Sequence, residues 1–361
     1  MKKILFISAF PPNQRTAGQD YTRRLIIDLL EKGYTISLIY AEYPGHEIDV
    51  PQNVNILKSF KPSLLNCLAK ISYHPFFTKR LSQDILNLLL EISHNYDVLY
   101  FDFSQMHIYS TFINHPCKIL MCHDVIAQKY TRSHKEQLYW IKKSESKCLL
   151  SASLIITFSE KDNSFIKNTY DIDSKSVNFY LKNPKFIYEN KSIQDNTFCF
   201  YGAWNRPENK ECLEWFFRNV FPNLNKDINF IIIGGGMSEK LKKQFMEYNN
   251  ISCLGFVDNP VLEISYCQAI IAPLMKGAGV KVKVIDALTC GTTVIGTDVA
   301  FEGIKDNKVN NLFKLKNKPE EYIDLLNNWK KVTVDYKQKA ANEFFENYNK
   351  NHFTDLLLII Q

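Results

Sequence analysis

The chain has 361 residues, 45% hydrophobic and 23% charged, a composition that builds packed globular domains and leaves room for two. Its 44 Lys and Arg against 38 Asp and Glu give a formal net charge of +6, modest and unaccompanied by any binding motif that would indicate nucleic acid. No window approaches the roughly 18 uninterrupted apolar residues of a membrane span. The apolar run after Lys3 meets Pro11 and Pro12 too early for a signal peptide and reads instead as a first buried strand. Nine cysteines without a Cys-x-x-Cys pair, several in apolar runs (Cys122, Cys199, Cys267), read as buried thiols of a reducing, cytoplasmic compartment.

Residues 3–9 form a continuous apolar strand of the kind covered on both faces in a parallel sheet. A polar loop over 11–19, holding Gly18, leads to a helix over 20–32 with Leu25, Ile26, Leu29 and Leu30 on its apolar face. Gly33 ends it, and a strand follows at 34–40. Between Val50 and Gln83 there is no acidic residue, while Lys58, Lys61, Lys70, Lys79 and Arg80 interleave with Leu64, Leu65, Leu68, Ile71, Tyr73, Phe76 and Phe77. Such a segment suits an anionic membrane surface or a lipid-diphosphate acceptor, and equally a core-packed helix with solvated lysines. A helix at 80–93, strands at 98–101 and 119–122, a long helix at 135–150 and a strand at 154–158 complete a first series. His123-Asp124 follows a buried strand. An imidazole there can orient a hydroxyl or exchange its proton near neutral pH, or it can be purely structural.

Residues 173–195, rich in Lys, Ser and Asn, read as a linker. Asp171-Ile172-Asp173 has the form of an Asp-x-Asp metal site but falls beside this linker and reads as a solvated loop, so no metal site is indicated. A second series follows: strand 198–202, helix 209–220, strand 228–233 ending in Gly234-Gly235-Gly236, a helix with Leu241, Phe245 and Met246, and strands at 251–254, 269–273 and 293–296. Two βα series imply an α/β protein of two Rossmann-like domains, 1–180 and 190–341, facing a central cleft, with ligands beyond the carboxyl ends of the strands. No Gly-x-Gly-x-x-Gly fingerprint is present, which argues against a nicotinamide cofactor.

The richest segment runs from Ala272 to Thr297. A Gly277-Ala278-Gly279 loop opens a helix carrying Lys281, Lys283 and Asp286, and Gly291 stops it. Loop amides from Gly277 to Val280 and the positive end of the helix would receive phosphate oxygens, lysine adds charge, and the carboxylate can accept ribose hydroxyls. Lys283 and Asp286 share a face with Gly279 above them, opposite an apolar stripe of Val280, Val284, Ala287 and Leu288, while Lys281 lies well round the helix. An ordinary crossover helix with a surface Lys–Asp pair is the plain alternative. The glycine loop between apolar strands favours the nucleotide site.

This segment resembles the sugar-nucleotide signature of GT-B fold retaining glycosyltransferases of the bacterial polysaccharide type (group 1, family 4-like): Gly-x-Gly-x-Lys-x-Lys-x-x-Glu-Ala, then Gly and a Val-rich strand. Gly277, Gly279, Lys281, Lys283, Ala287 and Gly291 match; Asp286 replaces the Glu, and Ala278 stands where the wider family has a second acid. The resemblance continues at Gly202 and Asn209, at 230–236, 254–257 and 300–303, and in a last helix, 342–361, that in the family crosses back to the first domain. It implies a hexosyltransferase with a nucleoside-diphosphate sugar as donor and no cofactor or metal. The acceptor would be a lipid-linked or polysaccharide chain of bacterial surface glycan (O-antigen or capsule) synthesis, reached at the inner face of the cytoplasmic membrane. By the same resemblance Gly18 and Arg206 lie near the donor diphosphate, with a plain turn glycine and a surface salt bridge as their alternatives, His123 lies near the sugar or acceptor, and His123 and Lys283 are the catalytic candidates. The alternative is a catalytically silent sugar-nucleotide-binding subunit, kept open by Ala278.

Overall fold

The apolar run at the start of the chain becomes β1 (Lys3–Ser8), in which Ile4, Leu5, Phe6 and Ile7 are all buried, as continuous aliphatic runs are when helices cover both faces of a sheet. The computed structural model describes residues 2–63, 72–178, 192–277, 279–304 and 311–348, and these described residues divide into two compact units, one on each side of residue 180.

In the first unit β1 is followed by α1 (Ala17–Glu31), β2 (Thr35–Ala41), β3 (Asn55–Phe60), α2 (Pro75–Thr78) and α3 (Gln83–Ile92). Then come β4 (Val98–Asp102), β5 (Lys118–Met121), α4 (Ile126–Ser133), α5 (Leu138–Leu149), β6 (Leu154–Thr157), α6 (Glu160–Tyr170) and β7 (Lys175–Ser176). The strands form a parallel sheet in the order β3-β2-β1-β4-β5-β6-β7. The reversal of strand order between β1 and β4 opens a crevice at their carboxyl ends, and the register there sets Ser8 beside Asp102.

The second unit repeats the plan with β8 (Thr197–Tyr201), α7 (Pro207–Asn219), β9 (Asn229–Ile233), α8 (Glu239–Met246), β10 (Ile251–Gly255), α9 (Pro260–Ser265) and β11 (Ala269–Ala272). It continues through α10 (Val282–Thr289), β12 (Thr293–Gly296), β13 (Leu312–Lys314), α11 (Pro319–Asn327) and α12 (Val334–Tyr348). Its sheet order is β10-β9-β8-β11-β12-β13, again parallel, with the switch point between β8 and β11. Each unit has its own core, built on Leu5, Phe101 and Leu120 in the first and on Phe198, Phe216 and Phe230 in the second. The two-domain parallel α/β architecture expected from the sequence is therefore present.

Several boundaries differ from expectation for local reasons. Thr16 accepts from the Gln19 amide and starts α1 at Ala17, so Gly18 lies in the first helical turn and not in the preceding loop. The linker expected at 173–195 begins later, because residues 175–176 add an edge strand to β6. Asp171 is a left-handed cap of α6, and both Asp171 and Asp173 are 91% exposed and paired with Lys167, as in a solvated loop. The second sheet does not close at residue 296, since β13 pairs beyond it. In the basic stretch 50–83, Phe77 is fully buried and Tyr73 and Phe76 pack on the core, whereas residues 64–71 lie outside the described residues.

The last described helix, α12, is tied to the second unit by an unusual side chain. Lys337 is fully buried and donates from Nζ to the carbonyls of Ser265 (2.8 Å) and Cys267 and to the Thr292 hydroxyl (3.0 Å). Its backbone carbonyl sits where a side chain on Gly291 would go, and Gly291 holds φ +67 at the end of α10. The part of the expected 342–361 helix that is described, to Tyr348, thus belongs to this packing; residues 349–361 lie outside the described residues. Gly291→Ala meets both the positive φ and the occupied space, and it is expected to cost on the order of 3 kcal/mol, read as a lower urea midpoint with unchanged slope.

Candidate functional site

In the second unit the site is assembled at the carboxyl ends of β8 and β11. The chain leaves β8 at Gly202, where a Cβ would stand 2.9 Å from Asn209 Nδ2 and 3.1 Å from Lys283 Nζ. Only glycine lets the turn approach those groups so closely. Asn209, in the first turn of α7, is buried; its Nδ2 donates to the Ala203 carbonyl (2.9 Å) and its Oδ1 accepts from Lys283 Nζ (2.7 Å). The amide therefore aims the ammonium at the mouth of the turn. Burial pushes the Lys283 pKa down to about 8, an effect reinforced by Arg206 and Lys281 and opposed by Cys212 and Glu208. Arg206 itself is exposed at the N-cap of α7, close enough to act on Lys283 through its charge.

The glycine loop leads into this group. Gly277 and Gly279 hold φ +127 and +71, conformations that side chains disfavour, and Ala278 between them lies outside the described residues. The helix α10 begins at Val282, later than the sequence implied. Lys281 is its N-cap in an extended conformation, with Nζ turned back onto the Gly279 carbonyl (2.6 Å) and toward Glu302 (3.4 Å), so it clasps the loop and does not ride on the helix. Val280 is likewise outside the helix and half-buried; the apolar stripe is Val284, Ile285, Ala287 and Leu288. Lys283 and Asp286 do share the remaining, half-buried face. The N-cap residue Lys281 makes no side-chain capping bond to the first amides of α10, so the positive pole of that helix adds to the charge of Lys283.

In the first unit His123 is the centre. Its Nε2 lies 2.8 Å from Asp102 Oδ1, and Asp102, at the end of β4, is completely buried. The other Asp102 oxygen accepts from the hydroxyls of Ser8 (2.9 Å) and Thr22 (2.7 Å). A carboxylate can only accept here, so Nε2 carries a proton, and in the neutral ring Nδ1 presents the lone pair. The ring is held flat against Phe103 at 3.7 Å and 12°, with Tyr21 and Phe158 edge-on. Phe103 adopts φ +66, a costly conformation for a bulky residue, and that turn is what lays its ring on the imidazole. A Cβ on Gly18 would come within 2.9 Å of the Phe103 ring and 3.1 Å of His123 Nδ1. Gly18 thus admits α1 to the edge of the imidazole.

Asp102, not the adjacent Asp124, is the acid that orients His123. The sequence reading missed it, although a lone carboxylate closing the apolar run Val98-Leu99-Tyr100-Phe101 of a buried strand was the available signal. Glu302, brought to Lys281 by the turn after β12, was also missed.

Residues 195–329 match the family model described as "Glycosyl transferases group 1". A Klebsiella pneumoniae protein described as "Uncharacterized 44.6 kDa protein in cps region" is 29% identical over 180 residues; the alignment covers 45% of each chain, so less than half of that relative is spanned. Among solved structures, sucrose-phosphate synthase from Thermosynechococcus elongatus superposes with a TM-score of 0.68 at 12% identity, covering 97% of this chain and 95% of that one. Anabaena HepE in complex with UDP and glucose gives 0.65 at 12% identity, with 96% of both chains covered. The chain therefore has the fold of the GT-B glycosyltransferases, and residues 195–329 are similar to the group 1 glycosyl transferases.

Proposed function

We propose that the chain is a metal-independent hexosyltransferase that moves a sugar from a nucleoside-diphosphate donor to a lipid-linked or polysaccharide acceptor in bacterial surface-glycan synthesis. The observation that carries this reading is the Lys283 ammonium, aimed by Asn209 at the Gly202 turn and set beside the glycine loop and the N-terminal end of α10. These are the features a diphosphate needs: a full charge, backbone amides and room for close approach. The family match to the second unit, the cps-region description of the Klebsiella relative and the UDP and glucose bound by HepE support the substrate class.

In the proposed reaction the anomeric C–O bond to the β-phosphate breaks and its electron pair goes to the diphosphate, where Lys283 and the α10 amides stabilise it. The acceptor hydroxyl bonds to the anomeric carbon through an oxocarbenium-like state. With retention, the departing phosphate takes the acceptor proton, while His123 Nδ1 accepts a hydrogen bond from a hydroxyl of sugar or acceptor. Asp286 holds the ribose, and Arg206 adds positive charge at the phosphates. Among the described residues no helix is long and apolar enough to cross a membrane. Peripheral contact with an anionic inner membrane belongs to the same reading, supported by Tyr139, exposed on α5 with Lys142 and Lys143 on the next turn, and by Leu150, exposed at the C-cap of that helix.

A thermal-shift screen of UDP-, GDP-, dTDP- and CMP-sugars tests this. One diphosphate donor should stabilise the protein selectively, and its affinity should depend on pH with a definite sign. Because the Lys283 pKa is depressed to about 8 from an ordinary value of 10.5, the ammonium is charged below pH 8 and neutralises above it. The diphosphate of a UDP-sugar has no group titrating in that range, so its affinity should be flat to about pH 8 and fall beyond, with proton uptake on binding at pH 8–9. Stabilisation by none of the donors would defeat the proposal. A silent binding subunit, the reading that Ala278 keeps open, would be stabilised but would release no sugar in a single turnover with acceptor supplied.

A further inference from the structure

The loops after β1 and β2 hold a group of side chains that the chemistry above leaves unused. Phe10, just beyond β1, packs edge-on against Phe103 at 5.0 Å and against Tyr43 at 5.4 Å. A series of rings therefore runs from His123 through Phe103 and Phe10 to Tyr43, which is 43% exposed. The guanidinium of Arg80 lies over Phe10, 4.8 Å from the ring centre. Its Nε is buried with no hydrogen-bond partner, and among the described residues no carboxylate pairs with it. Burial holds its pKa below the ordinary arginine value.

The contrast with α1 is instructive, because Arg23 and Arg24 there are paired with Asp49 and Asp20. Alongside, Arg15 donates to the Gly45 carbonyl and forms one wall of a cavity of about 470 Å³ with Asn13, Gln14, His46 and Glu47. Stacking on a single ring offsets only part of the cost of withdrawing a guanidinium from water. An anion with apolar surface would complete the arrangement, the oxygens meeting the guanidinium and the remainder lying on the rings.

We propose that Arg80 forms the anion subsite for the acceptor, receiving a phosphate group that the acceptor carries, with the apolar part of the acceptor against Phe10 and Tyr43. The proposal rests on the transferase reading, in which His123 faces the acceptor. It narrows the acceptor to phosphate-bearing molecules, either a prenyl-type lipid diphosphate or a soluble sugar phosphate.

Calorimetric titration of the full-length protein separates these. The Lys283→Ala background removes the phosphate site of the second unit, and the probes are farnesyl diphosphate, farnesol and glucose 1-phosphate. Farnesyl diphosphate should bind, lose about tenfold or more in affinity on adding Arg80→Gln, and recover partly with Arg80→Lys; farnesol should be indifferent to position 80. Glucose 1-phosphate matching the diphosphate in affinity and in dependence on Arg80 would identify the soluble source, and weak binding would identify the lipid. Equal affinity in the Arg80→Gln protein, or no binding of either phosphate probe at about 1 mM, would overturn the proposal. The Arg80→Gln single variant should keep its nucleotide-sugar stabilisation, which reports that it folds. Loss of nucleotide binding in the unsubstituted protein would instead defeat the transferase reading and leave the dependence on Arg80 measurable.

Discussion

Lys283→Ala is expected to lower kcat/KM for the donor by about 10²–10³-fold, the usual consequence of removing one preorganised donor from a developing oxyanion. Asn209 holds the ammonium in place before any ligand arrives, so no reorganisation is needed as charge builds on the diphosphate. The truncated side chain also strands the Asn209 carbonyl oxygen in a buried setting. Stability should not fall in proportion, because a charged amine whose pKa is depressed by burial opposes folding at neutral pH. Lys283→Ala should therefore melt near the unsubstituted protein while losing its response to nucleotide sugars. A variant that keeps both turnover and nucleotide stabilisation would remove Lys283 from the site.

Asp102→Asn is expected to reduce kcat by about 10²–10³-fold while donor affinity changes less than about twofold. The new amide can set its oxygen toward the Ser8 and Thr22 hydroxyls, which keep donating, and its NH2 toward His123, or the reverse with the hydroxyls accepting, so local packing survives either way. What is lost is the acceptor-only group that fixes the proton on His123 Nε2. Nitrogen-15 NMR of the imidazole should show a single Nε2–H tautomer in the unsubstituted protein and a mixture in Asp102→Asn. A purely structural role would lower the melting temperature and leave the tautomer alone.

The sequence made the domain plan legible because both sheets are parallel and buried, and their strands are continuous apolar runs such as Ile4–Ile7 and Ile231–Ile233. It concealed the elements that lack such runs. The edge strand β3 is mostly exposed, β13 has three residues, and α6 buries only Asp162 and Ile166. In the second unit Gly202, Asn209, Lys283 and Asp286 could be picked out because a glycine loop and a helical repeat lie within one short segment and its neighbours. In the first unit the dyad joins residues 21 apart, with Ser8 and Thr22 drawn from further still. No local spacing records that meeting; it exists only once the strand order places β4 between β1 and β5. The late start of α10 escaped for a similar reason, since Lys281 was turned aside by Glu302, which arrives from beyond β12.

The burial of Lys337 bears on how this protein can be divided. The family match stops at residue 329, yet the Ser265 and Cys267 carbonyls and the Thr292 hydroxyl all accept hydrogen bonds from Lys337 of α12, which begins at Val334. A fragment cut at 329 would strip the cover that Ala340, Ala341 and Phe344 provide and leave Gly291 facing solvent at the foot of the helix that carries Lys283. The second unit produced alone should therefore extend through Tyr348 to be soluble, and the shorter piece should aggregate although it contains every residue of the signature.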